Sequence, residues 1–185
     1  AIFLKKNKNK KDFFFNLYGD EALILNELNK YKISNYFYKI FHSTTTVSDE
    51  ETPLTAIKNS KDSSMWNAVN SQTELNSNIT LSAGNTGVLF VVSRMLLKTI
   101  DTVSKPALAG LWPNKKNMNV VLDLGANVEC DDKNLVDFAE MGAALYKALF
   151  PEDTAKVALL NIGSEEIKGT ENLKKAYSKL KEISK

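Results

Sequence analysis

The chain has 185 residues, 43% of them hydrophobic, and 24 Lys and Arg against 22 Asp and Glu, for a net charge of +2. That balance suits one domain with a buried core and gives no reason for global nucleic-acid binding. One histidine (His42), one cysteine (Cys130) and one arginine (Arg94) exclude an internal disulfide, a zinc site and multiple arginine clamps on phosphate.

Ala1-Ile2-Phe3-Leu4 lacks Met and reads as the end of a helix. Lys5 to Lys11 reads as a solvated helix end and turn. Phe13 to Tyr18 predicts a strand closed by Gly19-Asp20-Glu21. Glu21 to Asn29 predicts a helix, with Ala22, Leu25 and Leu28 on one face. Phe37 to Phe41 predicts a second strand. His42 to Pro53 reads as a polar loop with an acidic cluster at Asp49, Glu50 and Glu51, without a nucleophile elbow. Pro53 is placed to start a short helix through Ile57. Asp62 or Ser63 is a candidate N-cap for a helix through Leu75.

Ile79 to Leu81 predicts a strand, Ser82 to Gly87 a small polar turn, and Val88 to Ile100 a helix. Ala107 to Leu111 and Val120 to Leu124 predict strands, the second buried and ending in Gly125-Ala126-Asn127. Asn134 to Phe150 predicts a helix, and Val157 to Asn161 another buried strand, ending in Ile162-Gly163. Glu171 to Ile183 predicts an amphipathic helix with Leu173, Ala176, Tyr177 and Leu180 on its core face. No repeat, linker or signal peptide is visible, and no apolar run approaches ~20 residues. The alternation of strands and helices predicts an α/β fold with a mainly parallel sheet and helices on both faces. Ligands of such sheets bind beyond the carboxyl ends of the strands.

Three turns follow predicted strands: Ser82 to Gly87, Asp123 to Asn127, and Asn161 to Thr170. If their strands are neighbours, these turns form one wall of a cleft. In the first turn, Gly84 and Gly87 permit a tight backbone, and the next helix presents free N–H groups to an anion. Ser82, Gly84, Asn85, Thr86 and Gly87 are therefore candidate substrate-binding residues. Lys61, Ser63 and Ser64 offer the same chemistry at another helix start, and Asn127 adds a polar side chain at a strand end. Lys168 is a candidate catalytic cation or proton donor, and Asn161, at the end of a predicted buried strand, is the second candidate catalytic residue, placed to orient substrate. The first turn is not a dinucleotide fingerprint, because Ser82 stands where the first Gly belongs. Gly163 to Thr170 is not a Walker A loop, because its Lys and second Gly are reversed.

Five motifs in order carry a resemblance: Lys61-Asp62-Ser63-Ser64-Met65, Ser82 to Gly87, Pro106-Ala107-Leu108-Ala109, Leu122-Asp123-Leu124-Gly125-Ala126-Asn127-Val128, and Leu159-Leu160-Asn161-Ile162-Gly163. With the following Glu165-Glu166-Ile167-Lys168-Gly169, the chain from about Phe13 to Leu180 resembles the bacterial phosphate acyltransferase (PlsX) family of fatty acid and phospholipid synthesis. The resemblance implies a three-layer α/β/α fold like those of phosphotransacetylases and isopropylmalate dehydrogenases. It implies acyl transfer from acyl-carrier protein to inorganic phosphate, giving an acyl phosphate, without a cofactor. It also implies a catalytic lysine at Lys168, a homodimer when complete, and a cytoplasmic protein with peripheral contact at the inner face of the membrane. Lys105 stands where the family has Arg, and Thr170 where it has Asn. Relative to the family pattern the single domain is incomplete at both ends. An Asp-Ala-Met-Gly-Gly-Asp strand should precede Ala1, and a Gly-Asn glycine motif should follow Lys185. The alternatives are a phosphotransacetylase-like enzyme using acyl-CoA and a non-catalytic remnant that binds phosphate or carrier protein.

Overall fold

The computed structural model describes residues 2–7, 13–50, 52, 55, 58, 60–115, 117–165 and 167–183. All of the helix expected from Pro53 through Ile57 except Thr55 lies outside them, as do Lys8, Lys10, Lys11, Glu51 and Glu166. Contacts divide the chain into two compact units, Ala1–Lys98 and Thr99–Lys185.

The first unit is built on a βαβ arrangement. β1 (Phe15–Gly19) pairs in parallel with β2 (Tyr38–His42), with Phe15 opposite Tyr38 and Leu17 opposite Ile40. The connection between them is α2 (Glu21–Lys30) and a 3-10 turn at Asn35–Phe37. Asp20 caps α2 by accepting the Leu23 N–H at 2.9 Å. The apolar core here is Leu28 and Phe37 with Leu4 of α1 (Ile2–Asn7), and Phe15, Leu17, Ile24 and Ile40 pack against it. The inward stripe of α2 is thus Ile24 and Leu28, four apart, whereas the expected Leu25 is 38% exposed. Strand alternation sends Asn16 the other way, where its amide donates to the Asn76 carbonyl at 3.0 Å.

α3 (Ser64–Thr73) and α4 (Thr86–Leu97) pack against each other in the same unit. Met65, Val69, Val88 and Val92 are all buried between them. These positions recur at four-residue intervals, so each helix lays one stripe on the other. The strand expected at Ile79 to Leu81 is absent, and both residues are more than four-fifths exposed.

The second unit departs further from expectation. β3 (Ala109–Pro113) and β4 (Met118–Leu122) form an antiparallel hairpin. The physical reason is the connection, residues 114–117: a parallel crossover needs about a dozen residues or more. Asn114 closes the turn, its Oδ1 accepting the Asn117 N–H at 2.7 Å. α5 (Asp132–Leu149) packs on β4 and on α6 (Glu171–Ile183). A capping box opens α5, Asp131 accepting from the Asn134 N–H and Asn134 from the Asp131 N–H. On α6, Ala176 is fully buried but Tyr177 is exposed, with Lys181 over its ring. Val157 to Asn161 is not a strand, and Leu160 is 93% exposed. The fold is mixed α/β with one parallel pair, not a mainly parallel sheet among the described residues.

Candidate functional site

The candidate residues fall in both units. Lys61, Ser63, Ser64 and the Ser82–Gly87 turn belong to the first, and Asn127, Asn161 and Lys168 to the second.

In the first unit both motifs are helix starts. The Ser63 hydroxyl, fully buried, accepts the Trp66 N–H at 3.2 Å and caps α3. The Ser64 N–H donates to the Thr45 carbonyl at 3.1 Å. Asp62 holds a left-handed φ of 69° just before the cap. Its carbonyl accepts from Ser43 Oγ at 3.0 Å and from Asn67 Nδ2 at 3.2 Å. Lys61 is exposed beside this turn.

The second motif repeats the device. Asn85 caps α4, its Oδ1 accepting the Val88 N–H at 3.1 Å. Its Nδ2 donates to the Asp49 carbonyl at 3.1 Å, which ties the turn to the 43–49 loop. Ser82 Oγ accepts the Gly84 N–H at 3.2 Å. A Cβ on Gly84 would stand 3.0 Å from Met65 Cε. That close approach brings the start of α4 beside the start of α3. Thr86 and Gly87 form the first turn of α4, where backbone N–H groups have no intrahelical acceptor. Two positive helix ends side by side, with Lys61 at the edge, favour an anion such as phosphate.

In the second unit the candidate loops are closed by side chains. Asp123 follows β4, and its Oδ2 accepts the Asn127 N–H at 3.3 Å. Asn127 Nδ2 donates to the Pro106 carbonyl at 3.0 Å. Lys105 Nζ donates to the Glu129 carbonyl at 2.9 Å, so the lysine at this position clamps backbone. Asn172, in the first turn of α6, donates to the Cys130 carbonyl at 3.3 Å. Residues of the Asn127 turn and the start of the helix behind the Lys168 loop are thereby joined.

Lys168 is exposed, and its N–H donates to the Glu165 carbonyl at 2.9 Å. Asn161 closes this loop: Oδ1 accepts the Ile162 N–H at 2.8 Å and Nδ2 donates to the Lys168 carbonyl at 3.2 Å. Gly169 has φ +90°, and a Cβ there would meet Asn161 Oδ1 at 2.7 Å. Asn161 therefore fixes the backbone that carries Lys168.

Cys130 is half-buried, and its thiol lies 3.7 Å from Asp123 Oδ2. Burial first, and then the Asp123 charge, push the thiol pKa up, against the opposing pull of Lys105. A thiol kept protonated is a poor nucleophile. Sequence reasoning passed over Asp123 and Asn172. The available signal was an Asp at the end of an apolar strand, four residues before an Asn. Among the described residues no group of three or more His, Cys, Asp or Glu side chains is placed to hold a metal. No described helix is long and apolar enough to cross a membrane.

A family model described as "Fatty acid synthesis protein" matches residues 3–185. A protein of Pelagibacter ubique named "Phosphate acyltransferase" is 51% identical over 173 residues, covering 94% of this chain and 51% of that protein. One of the same name from Ehrlichia ruminantium is 41% identical over 169 residues, covering 91% of this chain and 50% of its own length. Another, from Chromobacterium violaceum, is 46% identical over 143 residues, covering 77% and 41%. The chain thus spans about half the length of the curated relatives it matches.

Proposed function

The chain belongs to the fatty acid synthesis protein family, and we propose that it carries phosphate-binding and lysine-bearing parts of an acyltransferase. The reaction moves a fatty acyl group from acyl-carrier protein to inorganic phosphate. The acyl phosphate formed then feeds phospholipid synthesis. The observation that carries this reading is the paired starts of α3 and α4 at Met65 and Gly84, in a chain whose relatives are named phosphate acyltransferases.

Phosphate is already a nucleophile, so no side chain need be acylated. A phosphate oxygen attacks the thioester carbonyl carbon, the C–O bond forms, and the C–S bond breaks. The leaving thiolate takes a proton. Ser82, Gly84, Asn85, Thr86 and Gly87, with Lys61 and Ser64, hold phosphate in place, Ser63 serving them as the buried cap that fixes the start of α3, and holding phosphate beside the carbonyl removes much of the entropic barrier. Lys168 offsets charge on the developing oxyanion or protonates the thiolate. Asn161 acts as a positioning residue for Lys168, and Asn127 orients substrate. Surface lysines meet the acidic carrier protein. The same proposal includes the three-layer α/β/α fold, the homodimer of the complete protein, and a cytoplasmic location with peripheral membrane contact.

The test is phosphate-dependent thiol release from palmitoyl-acyl-carrier protein, with hydroxylamine trapping of acyl phosphate, on the complete reading frame that encodes this chain. Lys168→Ala is expected to lower turnover by about 10²- to 10⁴-fold. Turnover near wild type in that variant removes Lys168 from the mechanism. Activity with acetyl-CoA alone replaces the carrier-protein donor with a short acyl-CoA. No turnover with either donor, in folded protein, leaves the non-catalytic reading.

A further inference from the structure

We propose that Asp123 is the positioning residue that sets Asn127 for its contact with substrate, an inference that rests on the acyl-transfer reading above. One carboxylate oxygen gathers both ends of the turn. Asp123 Oδ2 accepts the Asn127 N–H at 3.3 Å and faces the Cys130 thiol at 3.7 Å. The rest of the turn is anchored from outside, by Asn127 Nδ2 on the Pro106 carbonyl and by Lys105 on the Glu129 carbonyl. Asn172 adds the tie from the Cys130 carbonyl to α6. The Asn127 side chain is thereby held by its own Nδ2 bond and by a backbone that Asp123 fixes.

A second observation separates this from simple turn closure. Asp123 Oδ1 is buried and has no hydrogen-bond donor among the described residues. A buried acceptor left without a donor carries the desolvation cost of that oxygen with nothing to offset it. The Asn161 loop of the same unit shows that a neutral amide closes a turn without that cost, since both its amide atoms are used. A carboxylate with one idle buried oxygen exceeds what closure requires. Retaining it fits a site that is set for function and not for stability alone.

The experiment is a double-mutant cycle in the complete reading frame, read as phosphate-dependent thiol release from palmitoyl-acyl-carrier protein. Asp123→Ala and Asn127→Ala are each expected to lower kcat by about 10- to 100-fold. Asp123→Asn keeps an acceptor for the Asn127 N–H and should fall between wild type and Asp123→Ala. In the Asn127→Ala background neither Asp123 change should lower kcat further. Effects that multiply across the pair overturn the proposal, because Asp123 would then act independently of Asn127. Lowered thermal stability with unchanged kcat per folded enzyme overturns it as well. If Asp123→Ala fails to fold, the cycle with Asp123→Asn decides between the same outcomes. Wild-type protein without turnover on any acyl donor sinks the acyl-transfer reading, and this inference with it. Wild-type turnover with an additive cycle sinks only this inference.

Discussion

The two units hold their candidate residues by different physics. In the first, the Ser60–Ser64 and Ser82–Thr86 segments are helix starts, and the helices behind them share a buried stripe of Met65, Val69, Val88 and Val92. In the second, the Asn127 and Lys168 loops are exposed or half-buried and are held by single side-chain hydrogen bonds to backbone. An anion cradle needs fixed N–H groups, which a packed core supplies at no further entropy loss on binding. A loop that delivers a long lysine needs fixed backbone but a mobile tip, which polar clips permit. Changes in the first unit should therefore register as stability, and changes in the second as turnover.

The largest expected effect breaks the first half of that contrast. Met65 is 7% exposed and touches the Gly84 turn, so Met65→Ala removes core and support together. The expected loss is about 2–5 kcal/mol of unfolding free energy, measured by urea denaturation. A loss under about 1 kcal/mol would mean that the helix pair does not carry the turn.

Gly169→Ala probes the second half. The residue sits at φ +90°, and a methyl group there would press on Asn161 Oδ1 at 2.7 Å. The Asn161 clip must give way, and displacing the lysine by about 1 Å costs on the order of 10²-fold in turnover. Thermal stability should fall only modestly, by the strain of a side chain at positive φ, because Asn161, Lys168 and Thr170 are exposed. A large fall in stability with kcat intact would reverse the contrast.

A smaller effect is expected at Asn85. Asn85→Ala removes the cap on the Val88 N–H and the tie to Asp49. The cap alone contributes about 1 kcal/mol. The KM for phosphate should rise as the first turn of α4 loosens. An unchanged KM would take the α4 start out of the phosphate site.

Local signals in the sequence predicted what local physics decides. Ser63 caps α3 as its position before an apolar run predicts. The Glu171–Ile183 helix follows from the spacing of Leu173, Ala176 and Leu180. Strand pairing was not legible, because side-chain polarity does not record which neighbour supplies hydrogen bonds. Ile79 to Leu81 and Val157 to Asn161 have strand-like composition, yet neither joins a ladder. The hairpin was written in Trp112-Pro113-Asn114, a turn cluster between two apolar runs, but the α/β alternation masked it. At the site, the helix starts were legible and the clips were not. An Asn at a strand end reads the same whether it meets substrate or holds its own loop, as Asn161 does.

The smallest expected effect tests whether a polar tie in the second unit is also an electrostatic one. Lys179 of α6 pairs with Asp132 in the first turn of α5. The hydrogen bond from Lys179 holds the Asp132 carboxyl below the usual carboxylate value. The same bond holds the Lys179 ammonium above its usual value. A depressed carboxylate pKa gives stability that is complete above the usual value and lost as pH falls through the folded one. A raised ammonium pKa gives stability that is complete below the usual value and lost as pH rises through the folded one. The pair therefore acts across the window between, neutral pH included. Lys179→Met should lower the thermal midpoint slightly at pH 7, and the gap from wild type should close in acid as Asp132 takes its proton. Both side chains are partly solvated, so added salt should narrow the gap as well. A gap that persists unchanged in acid and in high salt would assign the effect to the packed lysine stem, and the tie between α5 and α6 would then resemble the apolar contacts of the first unit.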